Sequence, residues 1–192
     1  MLLREYTKDL HTKAEQTNFM KLTISGKLPK ELYINYLWQM IPIYSTIEFG
    51  VKVQEFFSNS PGIDRTKYIY QDFTELADKD THYSWLPETL EYIRYLQDLL
   101  NDPNRKHLIK AHFYVHHLGT LNGGQYIAKT VPGSGKFYQF DDVEGLRNAI
   151  RAELTDDLGD EARVAFEWAI KIMKALSASA LFESVLPLMG HE

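Results

Sequence analysis

The chain contains no cysteine. Disulfides, thiolate metal ligands, iron–sulfur clusters and a thiol nucleophile are therefore excluded, and any metal must bind through histidine, carboxylate or other oxygen ligands. Long apolar runs are also missing. No stretch reaches the roughly 18 uninterrupted apolar residues of a membrane span, and the C-terminal LFESVLPLMGHE is short and interrupted. The opening MLLREYTKDLH places Arg4, Glu5, Lys8 and Asp9 where a secretory signal needs an apolar stretch, so a cytoplasmic protein without a membrane anchor is expected. Positive charge is scarce as well. Asp and Glu number 26 against 21 Lys and Arg, for a net charge of -5, and no basic run exceeds two residues. The footprint of a nucleic-acid binder is absent, leaving small molecules or proteins as expected partners.

What is present is an ordinary globular composition: 192 residues, 44% hydrophobic and 24% charged. A chain of this size can bury about 70% of the surface its unfolded form exposes, so a single domain over residues 1–192 and a monomer are expected. Apolar residues recur at three- and four-residue spacing with no sustained alternation, which predicts an all-α fold. Helices are expected over about 2–17, then from Pro29 to Phe57 with a kink at Pro42, and over 66–78 and 87–101. Three more should cover about 105–130, 143–154 and 160–186. VPGSGKF reads as a turn. It fails the phosphate-loop pattern, since Val131 stands where the first glycine belongs and Phe137 follows Lys136.

On the first helix, with Leu3 at zero, Thr7, Leu10 and Ala14 fall within about 40° of Leu3 and form the core stripe. His11 sits at its edge, about 80° round, with Arg4, Lys8 and Glu15 beyond it. A histidine there is either an amphipathic boundary residue or a metal ligand whose second nitrogen an i,i+4 carboxylate can fix. The nearby cations suit an anionic ligand. Further on, HFYVHHLGTLNGGQ carries Gly119, Gly123 and Gly124, each costing about 1 kcal/mol relative to alanine inside a helix. Gly119 and Gly123 share one face, where bare backbone can approach a neighbouring helix or a planar ligand, and Gly124 would permit a bend. His112 and His116 are four apart but lack the glutamate of an HExxH zinc motif; His117 reads as a packing residue. Arg147 and Arg151, also four apart, can clamp a carboxylate or phosphate or stand exposed. Tyr33, Tyr36, Trp38, Tyr44, Tyr92 and Tyr95 read as core and surface amphipathic residues.

Together, LREYTKDLHTKAEQTNFM and, about a hundred residues later, AHFYVHHLGTLNGGQ resemble the proximal and distal helices of the heme oxygenase family. The distal pattern of that family is A-H-x-Y-x-x-x-L-G-D-L-S-G-G-Q. A weaker likeness continues through RVAFEWAIKIMKAL. The resemblance implies a multi-helix bundle with heme sandwiched between a proximal helix and a kinked, glycine-rich distal helix. It implies His11 as the axial ligand of heme iron, with Glu15 orienting it. Arg4, Lys8, Arg147 and Arg151 would face the heme propionates, with Met20 and Phe166 lining the pocket. Gly119, Gly123 and Gly124 would lie over the macrocycle, and Tyr114 would join the distal hydrogen-bond network. One position departs from the pattern: Thr120 replaces the distal aspartate, and Asn122 replaces the serine two residues on. A hydroxyl can hold a water but supplies no carboxylate, so Asn122, Tyr114 or a shifted side chain would have to compensate.

The resemblance further implies ring opening of heme, as both substrate and cofactor, to biliverdin IXα, ferrous iron and carbon monoxide. Molecular oxygen and external electrons are required. The chain has no flavin or nicotinamide motif, so a separate reductase or ferredoxin must be the donor, and a biliverdin reductase is a downstream partner. Two other readings stay open. One is a heme carrier or sensor that lost turnover with the aspartate at Thr120. The other is a non-heme helical enzyme with an inward carboxylate such as Glu48 near His112 or His116.

Overall fold

The computed structural model describes residues 3–60 and 62–178, and no strand occurs among the described residues. The N-terminal motif forms three short helices instead of one: α1 (Leu3–Tyr6), α2 (Lys8–Glu15) and α3 (Asn18–Ile24). Threonines account for the breaks. The Thr7 hydroxyl donates to the Leu3 carbonyl at 2.9 Å, a local bond that competes with helical continuity. Thr17 is extended, and its hydroxyl accepts from the Met20 backbone N–H at 3.3 Å, capping α3.

The long α4 (Lys30–Val53) runs through Pro42 and supplies the centre of the core with Leu32, Leu37, Ile43 and Ile47. Each such burial contributes about 1.5–3 kcal/mol. Pro29 is the extended residue before this helix, not its first turn, and the helix ends short of Phe57. Against α4 pack α5 (Thr66–Leu76) and α6 (Pro87–Asn101). Leu86 precedes α6 and Pro87 opens it, where a missing N–H costs nothing.

The glycine-bearing segment is one continuous helical rod of changing pitch. A 3-10 turn (Lys106–Leu108) leads into α7 (Ile109–Phe113), a π-helical turn (Tyr114–Leu118) and α8 (Gly119–Ile127). The irregularity therefore precedes the glycines, and Gly124 lies inside a regular α-helical turn, not at a bend. After α9 (Val143–Ala152), α10 (Gly159–Ala178) closes the bundle; the expected continuation to Leu186 lies outside the described residues. α10 packs against α2, α3, α7 and the π turn, so the two motif segments meet on one shared helix. No helix among the described residues is long and apolar enough to cross a membrane.

Two loops carry polar work that spacing did not reveal. Asp72 accepts the backbone N–H groups of Lys136 and Phe137 at 2.9 Å each, so the turn resembling a phosphate loop holds the chain's own carboxylate. Gly133 and Gly135 take the positive φ values, 78° and 63°, that this turn requires. Arg65 is 2% exposed. Its guanidinium donates to the carbonyls of Gly62, Ile63, Asp64 and Gln139 and lies between the rings of Tyr68 and Phe140, which offsets the cost of burying the charge.

Candidate functional site

His11 stands on α2 with its side chain 60% exposed, farther out than the core edge its angle predicts. Its Nδ1 is 3.5 Å from Glu15 Oε1, one helical turn on, and Nε2 has no hydrogen-bond partner. Phe166 of α10, buried, meets the imidazole edge to face with centroids 6.0 Å apart. That arrangement fixes one side of the ring and leaves the other nitrogen free to ligate. Among the described residues Arg4, Lys8 and Arg151 are exposed and make no ion pair, as cations awaiting an anionic ligand would be. Arg147 differs. Its Nε donates to Asn122 Oδ1 at 2.8 Å, and its Nη1 pairs with Glu144, which also occupies Asn122. Met20, half-buried on α3, packs against the core.

The three glycines separate by what surrounds them. A Cβ at Gly119 would meet nothing within 4 Å, and one at Gly123 only the Ile127 Cδ1 at 3.8 Å, whereas at Gly124 it would lie 3.2 Å from both the Cβ and the carbonyl oxygen of Tyr138. Gly119 and Gly123 thus face room that a planar ligand can fill. At Gly124 the missing side chain is accounted for by close packing on the Lys136–Tyr138 turn. Thr120 is buried, and its hydroxyl donates to the His116 carbonyl at 2.8 Å and lies 2.7 Å from the Tyr44 hydroxyl. Its single hydrogen is used inside the helix, so Thr120 has no proton left to donate to a water. Tyr114, half-buried in the π turn, makes no hydrogen bond through its hydroxyl.

His112, His116 and His117 of this rod are buried, and each has at least one partner. His112 Nε2 lies 2.9 Å from Glu161 Oε1, and the Tyr92 hydroxyl lies 2.8 Å from His112 Nδ1 and 3.0 Å from His116 Nε2. The Tyr95 hydroxyl donates to the same Glu161 oxygen. Burial opposes ionisation of Glu161, but the bonds from His112 and Tyr95 outweigh it and hold the carboxyl below its usual range. Burial pushes His112 down, partly opposed by Glu161. Burial, with the neighbouring His112 and His117, pushes His116 down to about 3. His117 Nε2 lies 3.0 Å from Glu48 Oε1, and its ring stacks on Phe113 at 4.0 Å. Glu48 therefore serves His117, not His112 or His116 as the non-heme reading requires. No group of three or more histidines, cysteines or carboxylates able to hold a metal occurs among the described residues.

The fold and this site define an all-helical protein with one free imidazole on a short N-terminal helix and an open glycine face on a helix sharing its support. The description of the Heme oxygenase family matches residues 1–175, and the chain belongs to that family. A heme oxygenase of Porphyra purpurea is 30% identical over 210 aligned positions, covering 92% of this chain and 86% of that one. Heme oxygenase 1 of Nostoc sp. is 25% identical, covering 93% and 86%. Among solved structures, heme oxygenase-1 from the cyanobacterium Synechocystis sp. in complex with heme superposes with a TM-score of 0.81 at 22% identity, over 97% of this chain and 95% of that one. Heme oxygenase from Leptospira interrogans gives 0.76 at 22%, over 91% and 97%.

Proposed function

We propose that this chain, as a single domain and a monomer, is a cytoplasmic heme oxygenase. It opens heme to biliverdin IXα, ferrous iron and carbon monoxide with molecular oxygen and electrons from a ferredoxin, and a biliverdin reductase consumes the product. The observation that carries the reading is the His11 imidazole, with Glu15 at one nitrogen, Phe166 on its edge and no partner at the other nitrogen. Bound heme supplies the iron that activates oxygen and the ring carbon that is oxidised. The protein does the rest. His11 would hold the iron through Nε2, and Glu15 would turn the imidazole by accepting from Nδ1. Arg4, Lys8 and Arg151 neutralise the propionates. Gly119 and Gly123 would admit the macrocycle close to the backbone of α8, and Met20 and Phe166 would exclude water from it.

Thr120 favours a second reading, a heme carrier or sensor, because it brings no carboxylate and its hydroxyl proton is bound within the helix. One experiment separates the two. Hemin is added to the purified protein, followed by a ferredoxin reducing system in air with catalase, and the visible spectrum is recorded. A Soret band that gives way to biliverdin absorption, lost in His11→Ala, is the expected result. A Soret band that persists under reductant overturns the oxygenase reading in favour of the carrier.

A further inference from the structure

The polar chain that ends at Glu161 has a direction at every bond. Glu161 as an anion only accepts, so His112 donates to it from Nε2 and Tyr95 donates from its hydroxyl. A neutral imidazole protonated at Nε2 is an acceptor at Nδ1, so the Tyr92 hydroxyl, 2.8 Å away, donates to His112. Tyr92 has no second hydrogen. Across the 3.0 Å to His116 Nε2 it can only accept, and His116 must donate. His116 therefore carries its proton on Nε2 and presents Nδ1 as an acceptor. It does so at the turn immediately before Gly119, with its carbonyl bound by Thr120 and Tyr44 and its ring 5.5 Å from that of Tyr44.

We propose that Glu161, acting through His112 and Tyr92, is a positioning residue that locks His116 in the Nε2–H tautomer. The Nδ1 atom then serves as the fixed acceptor on the distal side that Thr120 does not provide. This rests on the heme oxygenase reading and deepens it. An acceptor without a competing proton takes one O–H of a water and leaves the other turned toward the substrate, the orientation a carboxylate acceptor also imposes. A tautomer free to exchange would offer a donor for part of the time and turn the water round. Burial excludes the protonated imidazole, which would donate from both nitrogens. The other titratable groups beside His116 are Tyr44, a hydroxyl, and His117, whose Nε2 is held by Glu48. Neither delivers a proton to Nδ1.

Two-bond proton–nitrogen correlation spectra of the 15N-labelled protein without heme read the tautomers directly. His116 is expected as the Nε2–H form. In Tyr92→Phe it should become a mixture, while His117, held by Glu48, keeps its pattern and reports an intact fold. Glu161→Gln, whose amide oxygen still accepts from His112, should keep the wild-type pattern. With hemin and reductant, Tyr92→Phe should lose heme more slowly by on the order of tenfold with unchanged hemin affinity, and Glu161→Gln should stay near the wild-type rate. His116 found as the Nδ1–H form, or unchanged in Tyr92→Phe, overturns the assignment. An unaltered rate in Tyr92→Phe overturns the role. If the wild-type protein binds hemin and leaves it intact, the oxygenase reading and the role fall together, and the spectra still decide the tautomer.

Discussion

The N-terminal segment and the glycine-bearing rod both carry histidines on helices, and they use them in opposite ways. His11 is 60% exposed with one partner at 3.5 Å. His112, His116 and His117 are 0%, 8% and 0% exposed, and each reaches a carboxylate or a tyrosine within 3.0 Å. Buried imidazoles mostly find partners inside the protein: both nitrogens of His112 and the Nε2 atoms of His116 and His117 hold the rod to α4, α6 and α10, while His117 Nδ1 is buried without a partner. The exposed His11 keeps its Nε2 uncommitted, with only Glu15 and the Phe166 ring beside it. A ligand-binding histidine is recognised here by an unpaired nitrogen that is also exposed, since His117 Nδ1 is unpaired but buried.

The largest effect that would break this contrast is at His11. His11→Ala is expected to abolish the normal hemin complex, read as loss of its Soret band, while leaving stability within about 0.5 kcal/mol of wild type, as surface substitutions do. A variant that still forms that complex would move the ligand to the distal side. The reverse substitution, His112→Ala, should cost about 3 kcal/mol in urea unfolding, because it leaves the Glu161 carboxylate and the Tyr92 hydroxyl without their buried partner. A loss below about 1 kcal/mol would mean that water replaces the imidazole easily and that the rod is not held as described.

The contrast sharpens further with acid. His112 and His116 are neutral in the folded chain, with His116 pushed down to about 3, whereas the unfolded chain takes up protons near pH 6.5. Below that value the unfolded state binds more protons, so stability present at neutral pH is lost as pH falls, by up to about 1.4 kcal/mol per pH unit for each histidine, and for His116 down to about 3. Urea midpoints measured from pH 7 to 5 should decline accordingly. Replacing His116 with leucine should flatten the slope by about one proton's worth, and an unchanged slope would place the acid sensitivity elsewhere.

Sequence patterning carried the helices well, because three- and four-residue spacing reports which face is buried whatever the partner. It missed the breaks at Thr7 and Thr17, where hydroxyls compete with the backbone, and the π turn, which has no residue signature. The candidate ligand and the open glycines were legible because each breaks a local rule: a histidine at a core edge, and glycines where alanine is favoured. Glu161, Tyr92, Tyr44 and Arg65 were not. Their partners lie 17 or more positions away in the chain or are backbone carbonyls, as with Glu161 and His112, 49 apart, and no spacing within one helix encodes such a meeting. Arg147 and Asn122 were legible as polar residues but not as a pair with each other.

The smallest expected effect tests the glycines against one another. Alanine at Gly119 gains helix propensity, up to about 1 kcal/mol, since its Cβ meets nothing within 4 Å, and the thermal midpoint should rise. Alanine at Gly124 gains the same propensity but forces its Cβ to 3.2 Å from the Cβ and carbonyl of Tyr138, and overpacking of that kind costs about 1–3 kcal/mol, so the midpoint should stay level or fall. Hemin binding should respond in the opposite order. The added methyl at Gly119 stands where the macrocycle would lie and weakens the complex, whereas Gly124→Ala, pressed against the Lys136–Tyr138 turn, leaves hemin affinity near wild type. If both substitutions weaken hemin binding alike, the ligand reaches Gly124 too, and the division of the glycines between a ligand face and a packing face is wrong.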